Sequence, residues 1–288
     1  MTFYGKQREV LTCFLENRLS RLNLLVGAVR SGKTFIALIV WALWVGTSPP
    51  GGAYLMCAKS LTTLKRNSLD LLTQLVGSRN FTYSLAAKQG ELFGRRVYLE
   101  GCNDARAESH IRGLTLQGAY CDELTLFPED FFAMLLSRLS EPGAKLFATT
   151  NPDNPRHWLK VRYMDRAAGL DMRVTEFSID DNAALDPAYV ENLKREYTGV
   201  FYKRFILGLW VVADGLCYPQ FAHAPGGWLC DRIPEPESVQ FLTVGVDFGG
   251  NRSLTTFVAA AVHRGFSKIG FIADHHIEGK RVRSTETA

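Results

Sequence analysis

The sequence predicts an α/β fold in which a parallel sheet is flanked by helices. Short apolar segments alternate with longer segments of helical periodicity over the first half of the chain, a pattern typical of parallel α/β sheets. One apolar segment leads into a glycine-rich turn and then into a long apolar helix. Hydrophobic residues make up 47% and charged residues 22% of the 288 residues, which favours packed domains over a disordered chain.

The predicted elements of the first half follow one another in a regular order. A helix over 6–20 precedes a strand over 22–26, and a second helix over 33–45 ends at the Pro and Gly residues of 49–52. The remaining predicted elements are strand 53–58, helix 61–76, a hairpin over 81–101 with a polar turn, strand 117–121, helix 131–139 and strand 145–149.

The second half of the sequence predicts three further regions. Residues 155–213 are rich in helix signals and are expected to form a helical lid on the first domain, 1–213. Proline and glycine are frequent in 214–238, which indicates a linker. A small second domain, 239–288, is expected to hold strands 239–246, 253–262 and 269–273 before a frayed polar tail.

The net charge, the cysteine pattern and the length of the apolar runs exclude only a few classes of protein. A net charge of +4 permits nucleic-acid binding without arguing for it. The six cysteines form no CxxC pair and no signal-peptide pattern opens the chain, so we expect reduced thiols and a cytosolic protein. The longest apolar run, 35–45, is too short to span a bilayer, so we expect no membrane association.

The most specific motif is the run Gly27-Ala-Val-Arg-Ser-Gly-Lys-Thr34, which matches the phosphate loop G-x4-G-K-[ST]. Its glycines allow backbone N–H groups to curl around phosphates, and the following helix adds its positive end. Lys33 can reach the β- and γ-phosphates, and the Thr34 hydroxyl can bind Mg²⁺. The motif therefore predicts a P-loop NTPase sheet with ATP and Mg²⁺ as cofactors. The loop residues predicted to contact the nucleotide are Gly27, Arg30, Ser31, Gly32, Lys33 and Thr34.

Two strand ends carry polar residues that complement the loop. Asp122 and Glu123 follow the predicted strand 117–121. A carboxylate there can hold Mg²⁺ and its neighbour can polarise the attacking water, although most Asp-Glu pairs are solvated surface pairs. Asn151, in the run 149–152 after another strand, is placed to contact the γ-phosphate; an ordinary strand-to-turn exit is the alternative.

Three further residues are weaker candidates. Arg112 is a candidate arginine finger or else a solvated arginine in a turn. Gln7 is expected either to read the adenine edge or to lie on the polar face of the first helix. Asp247, at the end of an apolar strand, is typical of the first metal ligand of RNase H-like nucleases, of an actin-like phosphate site, or of a strand-end residue that caps a turn.

In this order the motifs resemble the large terminase subunit of tailed bacteriophages. The matching segments are 27–34, 112–113, 122–123, 149–152, 202–210 and 244–249, so the resemblance spans roughly residues 5 to 279. It implies an ATP-driven motor that packages double-stranded DNA into a procapsid. In that family Lys33 and Thr34 would bind phosphates and Mg²⁺, and Asp122 would bind the Mg²⁺. Glu123 would activate water, and Arg112 would act on its own or a neighbouring subunit's nucleotide.

The resemblance also implies partners and a second activity. The partners would be double-stranded DNA, a terminase small subunit and the portal protein, with a homo-oligomeric ring in the cytoplasm of a bacterial host. Asp247 would be the first ligand of a two-metal RNase H-like nuclease. Since few residues follow Asp247, we expect an incomplete nuclease half, a competent ATPase site and no DNA cleavage by this chain alone.

Three alternatives remain open at the level of sequence. A helicase-like nucleic-acid translocase shares the phosphate loop and the Asp-Glu strand, but it needs a second motor domain. A non-catalytic prophage remnant would still bind nucleotide, although the intact Lys33 and Glu123 argue against decay of the site. A metabolic P-loop kinase lacks support, because no lid motif or acceptor site is recognisable.

Overall fold

The structure is a computed structural model that describes residues 3–103, 107–212, 239–248, 255–263 and 269–277. The chain divides into two compact units, Met1–Leu216 and Cys217–Ala288. The predicted linker 214–238 and the predicted polar tail 279–288 lie outside the described residues.

The first unit alternates strands and helices. Its α-helices are α1 Gly5–Leu15, α2 Lys33–Thr47, α3 Leu61–Leu64, α4 Asp70–Val76, α5 Ala107–Ile111, α6 Glu129–Arg138, α7 Pro187–Glu196 and α8 Gly199–Phe201. Its strands are β1 Leu22–Gly27, β2 Ala53–Ala58, β3 Phe81–Ser84, β4 Gln89–Leu92, β5 Arg95–Gly101, β6 Leu116–Cys121, β7 Lys145–Thr150 and β8 Met172–Phe177.

Shorter helical segments complete this unit. Three are π-helical, Lys65–Leu69, Leu159–Tyr163 and Tyr202–Ile206. Three are 3-10 turns, Leu124–Leu126, Met164–Gly169 and Ile179–Asp181.

The strands form one mostly parallel sheet in the order β3-β4-β5-β2-β6-β7-β1-β8. All pairs from β5 to β8 are parallel, whereas β3, β4 and β5 pair antiparallel at one edge. In the centre, Val26 of β1 lies opposite Thr150 of β7, and Cys121 of β6 lies opposite Ala148. The residues that follow β1, β6 and β7 therefore meet at one edge of the sheet, where parallel α/β proteins bind ligands.

Apolar side chains cover both faces of the sheet. Alternate residues of β1 point to opposite faces, so Leu25 packs in a core with α2 while Leu24 packs in a second core with α6. Trp41 of α2 is fully buried and meets the rings of Tyr54 and Phe147 at centroid distances of 5.7 and 5.8 Å. These contacts hold α2, and with it the end of the glycine-rich turn, against the sheet.

The α/β class and the parallel sheet flanked by helices are confirmed, with four local differences. The first helix ends at Leu15 and not at 20. The predicted polar turn of the hairpin 81–101 contains a strand, β4, so the hairpin is a three-stranded meander. The predicted helix 61–76 is interrupted by a π-helical turn. The expected helical lid 155–213 is not wholly helical, because β8 lies within it and pairs with β1.

The described part of the second unit is a small antiparallel sheet. Its strands are β9 Val239–Asp247, β10 Thr255–His263 and β11 Ile269–Ile277, in the order β11-β10-β9. The three predicted strands are present: β9 ends one residue later than expected, β10 begins two residues and ends one residue later, and β11 ends four residues later. Whether they begin a nuclease domain stays a prediction.

Helices of the described residues are all too short or too polar to cross a lipid bilayer.

Candidate active site

The phosphate loop joins the end of β1 to the start of α2, as the motif predicts. Gly27 has a φ of +152°, and a Cβ there would overlap the backbone of Phe177 in β8. Gly32 lies in the left-handed region with a φ of +82° and directly precedes α2. Both positions require glycine, because one tolerates no side chain and the other has a backbone conformation that other residues rarely adopt.

The back of the loop is held by hydrogen bonds from outside the motif. The Ala28 N–H donates to the carbonyl of Phe177 at 2.9 Å, and the Val29 N–H donates to the carbonyl of Phe205 at 3.1 Å. The Asn182 side chain donates to the carbonyl of Arg30 at 2.7 Å. The loop conformation therefore depends on β8 and on residues near 182 and 205.

Lys33 is almost completely buried, with 5% of its surface exposed. Its Nζ donates to the carbonyl of Ala28 at 3.0 Å and to Asn151 Oδ1 at 2.7 Å. Burial lowers the pKa of the Lys33 ammonium group, although the carboxylates of Glu123 and Asp122 oppose this shift. The loop lysine thus contacts the end of β7 through Asn151.

Asp122 follows β6 and is 1% exposed. Its Oδ1 accepts a hydrogen bond from Thr149 Oγ1 at 3.0 Å, and its Oδ2 accepts one from Asn67 Nδ2 at 3.1 Å. Burial raises the pKa of the Asp122 carboxyl, while these two donors and the charge of Lys33 lower it. A buried carboxylate with a donor on each oxygen has a fixed orientation.

Glu123 lies beside Asp122 but faces Asn151. Its backbone is in the left-handed region, with a φ of +56°, which for a residue with a side chain is uncommon and occurs often at functional sites. The Asn151 amide donates to both Glu123 oxygens at 3.0 Å, and the Asn151 N–H donates to Oε2 at 3.2 Å. Burial also raises the pKa of the Glu123 carboxyl, which the charge of Lys33 opposes.

These side chains border one cavity of about 470 Å³. The predicted site residues that line it are Arg30, Ser31, Gly32, Lys33, Thr34, Asp122, Glu123 and Asn151. The Ser31 Oγ is buried without a hydrogen-bond partner, and such a group is usually satisfied by a ligand or water. The volume and the donors suit a nucleotide.

A second cavity of about 460 Å³ adjoins the first at Gly32, Phe35 and Asn182. Gln7 lines it together with Tyr4, and a Cβ at Gly32 would clash with Gln7 Nε2. The structure therefore brings Gln7 next to the phosphate loop and does not leave it on a remote helix face.

The donors also fit a magnesium ion. Thr34 and Asp122 border the same cavity and offer a hydroxyl and a carboxylate oxygen, the hard donors that Mg²⁺ prefers. Within the described ranges, no group of three or more His, Cys, Asp or Glu side chains forms a metal site. A Mg²⁺ ion at a phosphate site does not need such a group of side chains, because the ion is usually held by one or two protein oxygens together with substrate phosphates.

Arg112 and Asp247 are not brought to this cavity. Arg112 directly follows α5 with an exposed side chain that pairs with Glu108 Oε1 at 2.9 Å, and it does not line the cavity of its own chain. Asp247 is the last residue of β9 and is exposed, as are Leu242, Val244 and Val246. Whether Asp247 binds a metal therefore stays a prediction, since the described residues show it only as the exposed last residue of β9.

Three site residues escaped the sequence analysis. Asn67 contacts Asp122, Asn182 contacts the phosphate loop, and Gly208 packs against it with a φ of +70°. Asn67 and Asn182 belong to no recognisable motif. Gly208 lies in the segment 202–210, which contributes to the terminase resemblance, but the resemblance assigned no function to this glycine.

Comparisons with known proteins agree with this geometry. The family model for the N-terminal part of the T4likevirus-type terminase large subunit matches residues 24–223. None of the curated protein sequences matches the chain significantly. The large terminase of a thermophilic bacteriophage is 30% identical and superposes with a TM-score of 0.69 over 97% of this chain and 69% of that chain.

Two other solved structures extend the comparison. The same thermophilic phage terminase in complex with ADP is 30% identical, with a TM-score of 0.68 over 96% of this chain and 69% of that chain. The HK97 bacteriophage large terminase is 13% identical, with a TM-score of 0.61 over 96% of this chain and 63% of that chain, a likeness of fold alone. The extent of the family match and the identity to the thermophilic phage protein show that this chain belongs to the family of phage terminase large subunits.

Proposed function

We propose that this chain is the motor subunit of a phage DNA-packaging machine and hydrolyses ATP to drive double-stranded DNA into a procapsid. The observation that carries the proposal is the cavity in which the phosphate loop, Asp122 and Glu123 meet. Family membership supports it, and the relative from the thermophilic phage has been observed in complex with ADP and with ATP-γ-S.

The phosphate loop is the nucleotide anchor in this proposal. Backbone N–H groups of the loop and the N-terminus of α2 bind the phosphates. Lys33 exchanges its contact with Asn151 for the β- and γ-phosphate oxygens. Thr34 and Asp122 would hold Mg²⁺, which when bound neutralises charge on the β- and γ-phosphates. Gln7, in the adjoining cavity, contacts the adenine edge.

Glu123 is the general base in this proposal. Its carboxylate orients the attacking water and accepts a proton from it as the water adds to the γ-phosphorus and the bond to the β–γ bridging oxygen breaks. Asn151 keeps the carboxylate turned toward the cavity through three hydrogen bonds. The raised pKa of Glu123 makes it a stronger proton acceptor than a solvated glutamate.

We infer that Arg112 supplies the arginine finger to a neighbouring subunit. Its side chain is outside the cavity of its own chain and 65% exposed, so it is accessible to a neighbour. In a homo-oligomeric ring each active site would then be completed by the next copy. We further propose that the ring works with a small subunit and a portal protein in the cytoplasm of a bacterial host.

Asp247 remains a proposed metal ligand of a nuclease. Its position at the end of β9 is consistent with that role. The expectation that the chain alone does not cleave DNA is checked by incubating it with linear and circular DNA and Mg²⁺ or Mn²⁺. Cleavage that disappears in Asp247→Ala would contradict it.

The test of the motor proposal is Mg²⁺-dependent ATP hydrolysis with and without double-stranded DNA. Lys33→Ala removes a buried phosphate donor, and Glu123→Gln removes the base while preserving shape. Each is expected to lower kcat about 100-fold or more. The matched controls Lys88→Ala and Glu91→Gln alter residues outside the cavity and should hydrolyse ATP like the wild type. A folded wild-type chain that binds ATP without hydrolysing it, even with DNA present, would favour a non-catalytic remnant.

A further inference from the structure

Asn67 lies where the helical segment after β2 changes geometry. Residues Lys65–Leu69 form a π-helical turn between α3 and α4, and such turns occur frequently at functional sites. Asn67 is the middle residue of this turn and lines the 470 Å³ cavity with Thr34 and Asp122. The irregular turn therefore presents one amide side chain to the nucleotide cavity.

The Asn67 amide restrains one oxygen of Asp122. Its Nδ2 donates to Asp122 Oδ2 at 3.1 Å, while Thr149 Oγ1 donates to Oδ1 at 3.0 Å. Because one donor holds each oxygen, the carboxylate cannot rotate without losing a hydrogen bond. Asp122 is 1% exposed, so bulk water is poorly placed to replace a missing donor.

The orientation of the Asn67 amide is itself determined by a neighbour. Arg66 Nε donates to Asn67 Oδ1 at 3.3 Å. Since a guanidinium only donates hydrogen bonds, this contact turns the amide oxygen toward Arg66 and the NH₂ group toward Asp122. The next two residues, Ser68 and Leu69, are completely buried and anchor the turn.

We propose that Asn67 is a positioning residue that orients the Asp122 carboxylate for the divalent cation of the bound nucleotide. The proposal rests on the proposed function, which makes Asp122 a ligand of that cation. Partners that orient a metal ligand typically change metal affinity about 10- to 100-fold when they are removed. The donor from Asn67 is such a partner, supplied by an element outside the phosphate loop and both strand ends.

The test measures the Mg²⁺ dependence of ADP binding by the full chain, with a fluorescent ADP analogue as the probe. For the wild type, Mg²⁺ should increase the affinity relative to EDTA. Asn67→Ala and the similarly sized Asn67→Leu both remove the donor and should raise the Mg²⁺ concentration at half-maximal effect about tenfold. Binding in EDTA should stay within about twofold of wild type, because the phosphate loop is unaltered.

Asn80→Ala is the matched control, since it removes an amide that donates to the carbonyl of Val76 outside the cavity. A purely structural role for Asn67 would weaken binding equally with and without Mg²⁺, and that result would overturn the proposal. The proposal would also be overturned if Asn67→Ala and Asn67→Leu both required the same Mg²⁺ concentration for the half-maximal effect as Asn80→Ala does. A wild-type chain that binds the probe without any effect of Mg²⁺ would instead contradict the cation assigned under the proposed function, and this inference with it.

Discussion

Asn151 connects the two charged side chains on which hydrolysis depends. Its Oδ1 accepts from Lys33 and its Nδ2 donates to Glu123. When phosphates bind, they compete with Oδ1 for the lysine, while the contact with Glu123 is retained. Asn151 is therefore placed to respond to an occupied phosphate loop and, at the same time, to hold the general base.

Asn151→Ala should separate nucleotide binding from hydrolysis. The substitution removes the side-chain donors that orient Glu123, and a small displacement of a reacting group lowers rates by about 100-fold. It leaves the phosphate loop in place and frees Lys33, and ADP has no γ-phosphate for Asn151 to contact, so ADP affinity should be unchanged or slightly higher. The measurement is kcat and KM for ATP together with the Kd for ADP. Asn154→Ala, three residues away, is the control, and equal losses of kcat and affinity would contradict this assignment.

His157 makes stability depend on pH. Its Nδ1 accepts from the Leu159 N–H at 3.2 Å, so its Nε2 carries the proton and donates to the carbonyl of Thr125 at 3.1 Å. Burial lowers the pKa of His157 below its ordinary value of about 6.5. The unfolded chain therefore binds more protons between the two pKa values, and stability falls as the pH decreases from about 6.5 toward the folded pKa.

The pH effect is measured by urea unfolding at pH 7.5 and pH 5.5. His157→Gln retains a donor for Thr125 and removes the titrating group. The wild type should lose more unfolding free energy between the two pH values than the variant does. An equal loss in both proteins would show that other groups carry the pH dependence of this part of the fold.

At the scale of elements, the segment 202–209 supports the phosphate loop from behind. Phe205 accepts the Val29 N–H. A Cβ at Gly208 would lie 2.7 Å from the carbonyl oxygen of Phe177, 3.0 Å from the Ala28 nitrogen and 3.1 Å from the Gly27 Cα. All three contacts are with backbone, so they cannot move away without shifting β8 or the loop.

Gly208→Ala should consequently destabilise the chain by about 1–3 kcal/mol, since it combines a left-handed φ with close backbone contacts. It should also weaken ADP binding, because relief of the clash displaces the loop. Gly169→Ala is the control, since nothing lies within 4 Å of its Cβ position and its φ is not positive. Unfolding in urea and ADP titration measure the two effects, and a Gly208→Ala protein as stable as the control would refute the packing argument.

Elements with strong local signals were predictable, whereas two strands with weak local signals, β4 and β8, were not. The path from β1 through the glycine-rich loop into α2 has an apolar strand, a motif and a long apolar helix, so sequence alone located it. β8 has alternating polar and apolar residues amid helix signals, and its pairing with β1 is a contact between distant segments. β4 is short and polar and reads as a turn. Their strand conformation depends on tertiary pairing more than on local propensity.

The residues of the candidate site likewise fall into those that the sequence predicts and those that it does not. Lys33, Asp122, Glu123 and Asn151 follow strands that the sequence predicts, and the parallel sheet brings such ends together. Asn67 reaches Asp122 from within a π-helical turn. The hydrophobic pattern over 61–76 predicts a regular helix. It does not reveal the extra residue per turn that makes Lys65–Leu69 π-helical. The exposure of Asp247 was likewise unpredictable, since an apolar strand indicates burial without naming what covers it.

At the scale of the whole molecule, Arg112 is the predicted catalytic group that the chain does not bring to its own cavity. It pairs with Glu108 four residues earlier, and its carbonyl accepts from Arg138 of α6 at 2.5 Å. The Arg138 contact holds the Arg112 backbone, while the guanidinium stays exposed in its pair with Glu108. An exposed pair of this kind contributes little stability, so the guanidinium can leave Glu108 for a phosphate of another subunit at small cost.

Mixing two inactive variants tests whether the site is shared between subunits. Arg112→Ala keeps a complete cavity but lacks the finger, and Glu123→Gln keeps the finger but lacks the base. If the finger acts on the neighbouring subunit, a Glu123→Gln copy supplies Arg112 to an Arg112→Ala copy, and ATP hydrolysis reappears in the mixture. The assay is run under conditions in which the wild type hydrolyses ATP, with DNA present.

The control mixture combines Glu123→Gln with Lys33→Ala. Both of these variants carry a defect inside the cavity, so no subunit in that mixture has both Lys33 and Glu123, and hydrolysis should stay absent. Recovery in the first mixture alone assigns Arg112 to the neighbouring nucleotide. If ATP hydrolysis is absent from both mixtures although the variants assemble like the wild type, the site is not shared between subunits. The exposed Arg112 side chain would then have to move into the cavity of its own chain to act on the nucleotide.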